Sequence, residues 1–502
     1  MTQKTRNAPP RANAMLEALR GLGYSTAAAL ADIIDNSISA GASEVRLDFA
    51  WNGATSRISV LDDGRGMTDA ELESAMTLGD KNPLDARASH DLGRFGMGMK
   101  TASFSQCRRL TVATVKDGDA SCLRWDLTEL AAHPDSGWLM HEGAANGSEP
   151  FLAPLHGKTN GTLVLWETMD RIVSAGYTVD DYLALIDEVQ AHLAMVFHRL
   201  IQGPRPKLRL FIQERAIGPW DPFMAGHLAT WNSPVARKST PDGVVEVECH
   251  VLPHKDKLSD DEWKRCAGPN GWTAQQGFYV YRNERLLLAG GWLGLGPSKA
   301  WNREEAHRLA RIRLDIPNTA DAAWKIDIKK STARPPVALR PWLTTLAEDT
   351  RERARKVFAY RGSPTPSPTG TPLEQAWRVD HTATGARYRI DDKHPAVSAV
   401  LEGAGPLLPM VKAMLRVIQE TVPVQRIWLD TAENKETPRT AFAGEPPEAV
   451  MGVMRTIYND MVGRRGMSPD LAKRALLSTE PFQNFPVLVA NLSASDTFNN
   501  PK

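Results

Sequence analysis

Asp32 and Asn36 stand four residues apart in the stretch STAAALADIIDNSISAGA. On a helix of 3.6 residues per turn they share one face, while Leu30, Ile34 and Ile38 share the opposite one. A carboxylate so placed can orient a water or take its proton, and an amide oxygen is a hard donor for a hard cation. Further on, VLDDGRGM sets Asp62 ahead of Gly64 and Gly66. An ionised carboxylate only accepts hydrogen bonds, so Asp62 selects a ring edge that donates, and the glycines let that ring approach the backbone. In a third cluster, DLGRFGMGMKTASFS, Gly93, Gly96 and Gly98 lead into a helix. Successive backbone N–H groups and the helix N-terminus would then face an anion. Lys100 falls in the first turn of that helix, where a cation is unfavourable against the dipole unless an anion is bound.

Ordinary elements must carry these clusters. Ser25 is the expected N-cap of the Asp32 helix and Gly41 its stop. Val45, Leu47 and Phe49 alternate with polar residues, as do Ile58 and Val60, which predicts two paired strands with Asp62 at a strand end. Thr68 and Glu71 form a capping-box pattern that opens a helix running to about Leu78. From Gly79 to His90 the periodicity is lost, and this stretch reads as a mobile lid. Strands are expected at Leu110–Val115, Cys122–Leu127 and Gly161–Trp166, and an amphipathic helix over Asp180–Leu200.

With these motifs in this order, Ala14 to about Arg171 resembles the GHKL family of ATPases, which includes DNA gyrase, MutL, MORC proteins, heat-shock chaperone ATPases and histidine kinases. DNSISAGA, DDGRGM and GRFGMGMKTASFS are similar to the motifs of prokaryotic relatives of MORC and MutL. The resemblance implies ATP and Mg2+ as cofactors. It implies nucleotide contacts by Asn36, Asp62, Gly64, Gly66, Met67, Gly93, Arg94, Phe95, Gly96, Met97, Gly98, Lys100, Thr101 and Thr162, with Asn36 as the metal ligand and Asp32 as the base. Most members carry Glu where this chain has Asp32. Asp is one methylene shorter, so turnover that is slow or activated by a partner is expected.

The next two hundred residues resemble the transducer domain of MutL, gyrase and MORC proteins more loosely, with KLRLFIQ, VVEVECHVL, GFYVYRNERLLL and RIRLDI as its strands. That domain supplies a lysine to the γ-phosphate. WKIDIKKSTARPP offers Lys329 and Lys330 at an expected strand end, and the sequence leaves both open. The expected fold is α+β, with three parts: a Bergerat-type ATP-binding α/β sandwich (a mixed sheet with helices on one face), an S5-like α/β transducer domain and a small α+β C-terminal domain. The expected boundaries are a flexible arm over 1–11, the ATP-binding domain over 12–203 and the transducer over 204–360. A Pro/Ser/Thr linker over 361–373 and the C-terminal domain over 374–502 follow. In the last part RYRI and QRIWLD read as strands, and PLLPMVKAMLRVIQE and PEAVMGVMRTIYNDMVGRR as helices.

Composition narrows the partners. Among 502 residues, 60 Lys and Arg face 59 Asp and Glu, so no global field draws the chain toward nucleic acid or membrane. Any DNA contact must be local, and the candidates are Arg351, Arg353, Arg355 and Lys356 on a charged helix, with Arg464 and Arg465 nearer the C-terminus. Cys107, Cys122, Cys249 and Cys266 show no metal-ligand spacing, and no apolar leader or spanning run is present, so a reducing cytoplasm is expected. The reading is an ATP-gated homodimeric clamp or accessory motor on DNA, in bacterial phage defence, restriction or repair, with a helicase, nuclease or methylase as partner. A chaperone-like ATPase on protein clients and a nucleotide sensor with little turnover are the alternatives. No phosphoacceptor histidine precedes the site, which argues against a histidine kinase. No tyrosine-bearing cleavage domain is apparent, which argues against a complete topoisomerase.

Overall fold

The computed structural model describes residues 6, 10–21, 23–80, 98–133, 137–327, 330, 332–359, 374–382, 385–424, 427, 448–479 and 482–493. It divides into two compact units, Met1–Ala359 and Tyr360–Lys502. The fold is α+β, as expected.

The first sheet of the first unit is built from alternating sequence. β1 (Glu44–Ala50) and β2 (Arg57–Asp62) bury every second residue and pair antiparallel, with Val45 opposite Asp62. β3 (Arg109–Lys116), β4 (Asp119–Asp126), β5 (His141–Glu142), β6 (Gly161–Glu167), β7 (Arg209–Ile212) and β8 (Arg215–Ala216) complete it. The strand order is β5-β4-β3-β6-β2-β1-β7-β8. β1 and β7 run parallel and the other pairs antiparallel, so the sheet is mixed. β7 lies within KLRLFIQ, expected in the second domain. Its period of two marks a strand without saying which sheet takes it.

Helices cover one face of this sheet: α1 (Ala12–Arg20), α2 (Thr26–Ser39), α3 (Asp69–Met76), α4 (Gly98–Phe104), α5 (Leu127–Ala132), α6 (Val179–Val196) and α7 (His198–Ile201). Ser25 caps α2 by accepting from Ala28 N, and Thr68 with Glu71 forms the expected capping box on α3. The core between layers is one apolar cluster that includes Leu30, Ile34, Val45, Val60, Phe104, Trp166 and Leu193. A 3-10 helix, Glu149–Leu155, lies on the other face over Ala113, Leu163 and Leu165.

A second sheet follows in the same unit. It comprises β9 (Trp231–Asn232), β10 (Ala236–Thr240), β11 (Gly243–Val251), β12 (Gly277–Arg282), β13 (Arg285–Ala289) and β14 (Ala310–Asp315), ordered β10-β11-β14-β12-β13 with β9 on β11. Between its strands lie α8 (Asp260–Cys266) and α9 (Gly271–Ala274), and α10 (Arg340–Ala359) packs against β11 and β14. Where the two sheets' layers meet, Met195 packs with Phe223, Tyr279, Tyr281 and Leu286. Among the described residues before Lys329, where a strand end is expected, Asp321–Lys325 turns, and Ile326 and Asp327 belong to no strand.

In the second unit β15 (Trp377–Thr382) and β16 (Gly385–Ile390, which contains RYRI) form a hairpin. α11 (Pro395–Gly403), α12 (Leu408–Glu420), α13 (Glu448–Asn459), α14 (Pro469–Leu477) and α15 (Pro486–Ala490) follow. Met454, Ile457, Tyr458, Leu476 and Phe482 form its core. The linker and most of QRIWLD lie outside the described residues.

Candidate active site

α2 is buried nearly all round. Leu30 and Ile34 face the core as expected, yet Asp32 and Asp35 on its polar side are only 4% and 2% exposed. That polar face is covered by groups from elsewhere in the chain. Tyr24 OH donates to Asp32 Oδ2 at 3.0 Å. Lys330 Nζ lies 2.9 Å from Asp32 Oδ1 and also bonds Asp35 Oδ2. Arg285 pairs with Asp35, its Nη2 3.1 Å from Oδ2. Burial alone would push the Asp35 carboxyl up, but the Arg285 and Lys330 charges outweigh it and hold it below its ordinary value. Burial, reinforced by the Asp32 charge, pushes the Tyr24 phenol up, so it stays a donor.

Asn36, between buried Asp35 and Ser37, is exposed. Its Nδ2 donates to the Asp32 carbonyl at 2.9 Å, which leaves Oδ1 as the outward group. That is a hard oxygen on the surface of the site, suited to a cation that also takes phosphate oxygens.

Asp62, at the end of β2, accepts from Ser37 Oγ at 2.7 Å and from Gly64 N at 2.9 Å. Burial pushes its carboxyl above the ordinary value, and these donors, with the Thr162 backbone, offset only part of the effect. Beyond it, positions 64 and 66 tolerate no side chain. A Cβ on Gly64 would stand 2.9 Å from Ala40 Cβ, and one on Gly66, at φ 68°, 1.9 Å from Val115 O. Met67 N donates to Thr114 Oγ1 at 3.0 Å, and Thr162 Oγ1 lies 3.1 Å from the same atom. Thr162 faces Asp62 across the β2–β6 ladder, and its hydroxyl meets Thr114.

α4 begins at Gly98, where a Cβ would stand 3.9 Å from Asp32 Oδ2, so the start of this helix adjoins Asp32. Thr101 is buried in the same helix and bonded to Tyr24. Lys100 is placed differently from the expectation. It is 2% exposed, and its Nζ donates at 2.8 Å to the carbonyls of Ala75 and Thr77, at the C-terminal end of α3, where the helix dipole favours a cation. Gly93, Arg94, Phe95, Gly96, Met97 and Lys329 lie outside the described residues.

The site therefore gathers Asp32, Asn36, Asp62, Gly64, Gly66, Gly98 and Lys330. Asp35, Ser37, Tyr24, Thr114 and Arg285 were not singled out from sequence. Asp35 carried a local signal, since it stands three residues after Asp32 on the same helix. Arg285 carried none, because 250 residues separate it from Asp35.

Five of the six cations named for DNA have partners within the protein. Arg351 is buried with its guanidinium 4.6 Å from the Trp292 ring and 4.7 Å from that of Trp301, and Arg353 stacks on Trp231. Lys356 pairs with Glu352, and Arg464 and Arg465 both pair with Glu402 and Asp460. A charge count along a helix cannot see these partners. No described helix is long and apolar enough to cross a membrane.

Residues 24–151 match the family described as Histidine kinase-, DNA gyrase B-, and HSP90-like ATPase. ATPase morc-1 of Caenorhabditis elegans is 33% identical over 109 residues, which are 22% of this chain and 12% of that protein. Residues 24–151 are thus similar to a GHKL ATPase domain, and the 109-residue stretch to a MORC ATPase. The chain covers only 12% of the length of that relative.

Proposed function

We propose that this protein binds ATP with Mg2+ and hydrolyses it slowly, using a lysine of its second sheet domain to report the γ-phosphate. The observation that carries the reading is Lys330, held 2.9 Å from Asp32 and bonded to Asp35 on the helix that also bears Asn36. Asp62 accepts the adenine amino group, and Gly64 and Gly66 let the loop beside it pack closely on Ala40 and Val115. Asn36 Oδ1 holds Mg2+, which neutralises phosphate charge when bound. Asp32 orients the attacking water and takes its proton as the bond between γ-phosphorus and the ADP oxygen breaks. Lys330 stabilises charge on the γ-phosphoryl oxygens. Lys100, bonded to the carbonyls at the end of α3, shapes the lid's base in this reading. The shorter Asp32 side chain slows the reaction on the order of a hundredfold relative to a glutamate.

This cycle belongs, in our reading, to an ATP-gated homodimer acting on DNA in defence or repair. The support for that part is the motif resemblance. A sensor with little turnover is the second reading, favoured by the short Asp32 and by the engagement of both its carboxylate oxygens. Steady-state ATP hydrolysis with and without duplex DNA, with Asn36→Ala as the blank, decides. Turnover above the blank that rises with DNA supports the clamp. Turnover indifferent to DNA removes the DNA arm, and ATP binding without turnover leaves the sensor.

A further inference from the structure

Asp35 has no part in the chemistry above, yet it sits on α2 between Asp32 and Asn36 and is closed from solvent. Two cations from the second sheet domain reach it, and they are held in different ways. Arg285, on β13, meets it side-on, with Nε 3.2 Å from each carboxylate oxygen and Nη2 3.1 Å from Oδ2. Nη1 of the same guanidinium donates to the Leu286 carbonyl at 2.6 Å, and Nη2 lies 3.6 Å from Asp32 Oδ1. The fork is buried and anchored on a paired strand. Lys330 instead projects from a turn, with φ 54° and its N–H on the Asp327 carbonyl at 3.0 Å. A planar guanidinium on a strand is a fixed counter-ion, whereas an ammonium on a flexible stem can change partners.

We propose that Arg285 is a positioning residue of the ATPase reaction. It keeps Asp35 charge-compensated, so that Lys330 can leave the two carboxylates for a phosphate oxygen without stranding a buried anion. The inference rests on the ATPase reading. Removing one partner of a buried ion pair is strongly unfavourable because the other charge is left alone. With Arg285 in place, Asp35 retains a cation when Lys330 departs, and Asp32 still has a guanidinium nitrogen 3.6 Å away. Arg285 thus acts through Asp35 and Lys330, on the step in which Lys330 exchanges, and so on turnover more than on nucleotide affinity.

The test is a cycle of Arg285→Met, Asp35→Asn and the double variant in the full chain. Mg·ATP binding is read with a fluorescent ATP analogue, and turnover is read at saturating ATP. Arg285→Met is expected to bind the analogue within about threefold of the parent and to turn over at least about tenfold more slowly. In the Asp35→Asn chain, which has no buried anion at this position, Arg285→Met is expected to change turnover by less than about twofold. Parent-like turnover of Arg285→Met overturns the inference. So does an equal loss from Arg285→Met in both backgrounds, which is the mark of a merely structural arginine. If Arg285→Met alone does not fold, the double variant against Asp35→Asn still decides: a large loss there overturns the inference, and parity supports it. A parent chain that binds no more analogue than Asn36→Ala overturns the ATPase reading itself. Normal binding with unaffected Arg285→Met turnover overturns only the role of Arg285.

Discussion

Lys330 Nζ lies 2.9 Å from Asp32 Oδ1, across 298 residues of chain. The contact joins a turn after the second sheet to the first long helix of the ATP-binding domain, so a ligand that draws on either residue moves the balance between the two. A group that meets one state better than the other is what a nucleotide-driven switch requires. Lys330→Met is expected to lower turnover by about a hundredfold, the scale for removing one donor from a developing phosphoryl charge, and to leave ATP binding largely intact. Lys329→Met, measured beside it at saturating ATP, is expected to cost less. The reverse order would assign the role to the other lysine.

Asp62 predicts a pH-dependent affinity. Its carboxyl is held above the ordinary value of 3.8, chiefly by burial, and only its ionised form accepts from an adenine amino group. Affinity for ATP is therefore expected to be full at neutral pH and to fall as pH drops through that raised value. Asp62→Asn removes the charge, and should weaken ATP binding by about 1.5–3 kcal/mol and flatten the pH profile. Titration of a fluorescent ATP analogue between pH 7 and pH 4 checks both.

The loop from Gly64 to Met67 is pinned from both ends. Gly66→Ala would place a Cβ 1.9 Å from the Val115 carbonyl oxygen at a backbone φ of 68°. The conformation alone costs about 1–3 kcal/mol, and the clash adds to it. Thr114→Val keeps the shape but removes the acceptor of Met67 N and the partner of Thr162, at about 1–3 kcal/mol. Denaturant unfolding measures both losses, and nucleotide binding by the Thr114→Val protein tells whether the loop keeps its place.

Where the two sheets' layers meet, the fold is expected to be acid-sensitive. His198, whose Nε2 lies 2.7 Å from Tyr281 OH, and His250, beside Phe223, are each pushed down to about 4 by burial. A histidine whose folded pKa is depressed binds more protons when unfolded. Its stabilisation is complete above about 6.5 and is lost as pH falls toward 4. Each contributes about 1.4 kcal/mol per pH unit within that window. The thermal midpoint should fall steeply from pH 6.5 to pH 4.5, and His198→Phe should reduce the slope.

Much of the site was legible because it is local. Asp32 and Asn36 share one helix, Asp62 stands two and four residues before Gly64 and Gly66, and the caps at Ser25 and Thr68 mark where their helices begin. Helical and strand periods and turn chemistry are short-range properties, so the α+β class and β1, β2, β3, β4 and β6 of the first sheet could be read from them. KLRLFIQ shows the limit, since alternation made it a strand but only the β1–β7 pairing placed it in the first sheet.

By itself, then, the sequence determined which residue types stand at helical or turn spacing, and so the nucleotide motifs. Only the tertiary structure decided what those residues face. Asp32 was expected to act on a water, and it is buried under Lys330 and Tyr24. Lys100 was expected on a phosphate and bonds the carbonyls of Ala75 and Thr77. Arg351 was a candidate for a DNA contact, and its guanidinium lies against the Trp292 and Trp301 rings. In each case a charged side chain reads as solvent-facing along the chain. Its true partner comes from a distant segment, and the cost of burying an unpaired charge makes that partner obligatory.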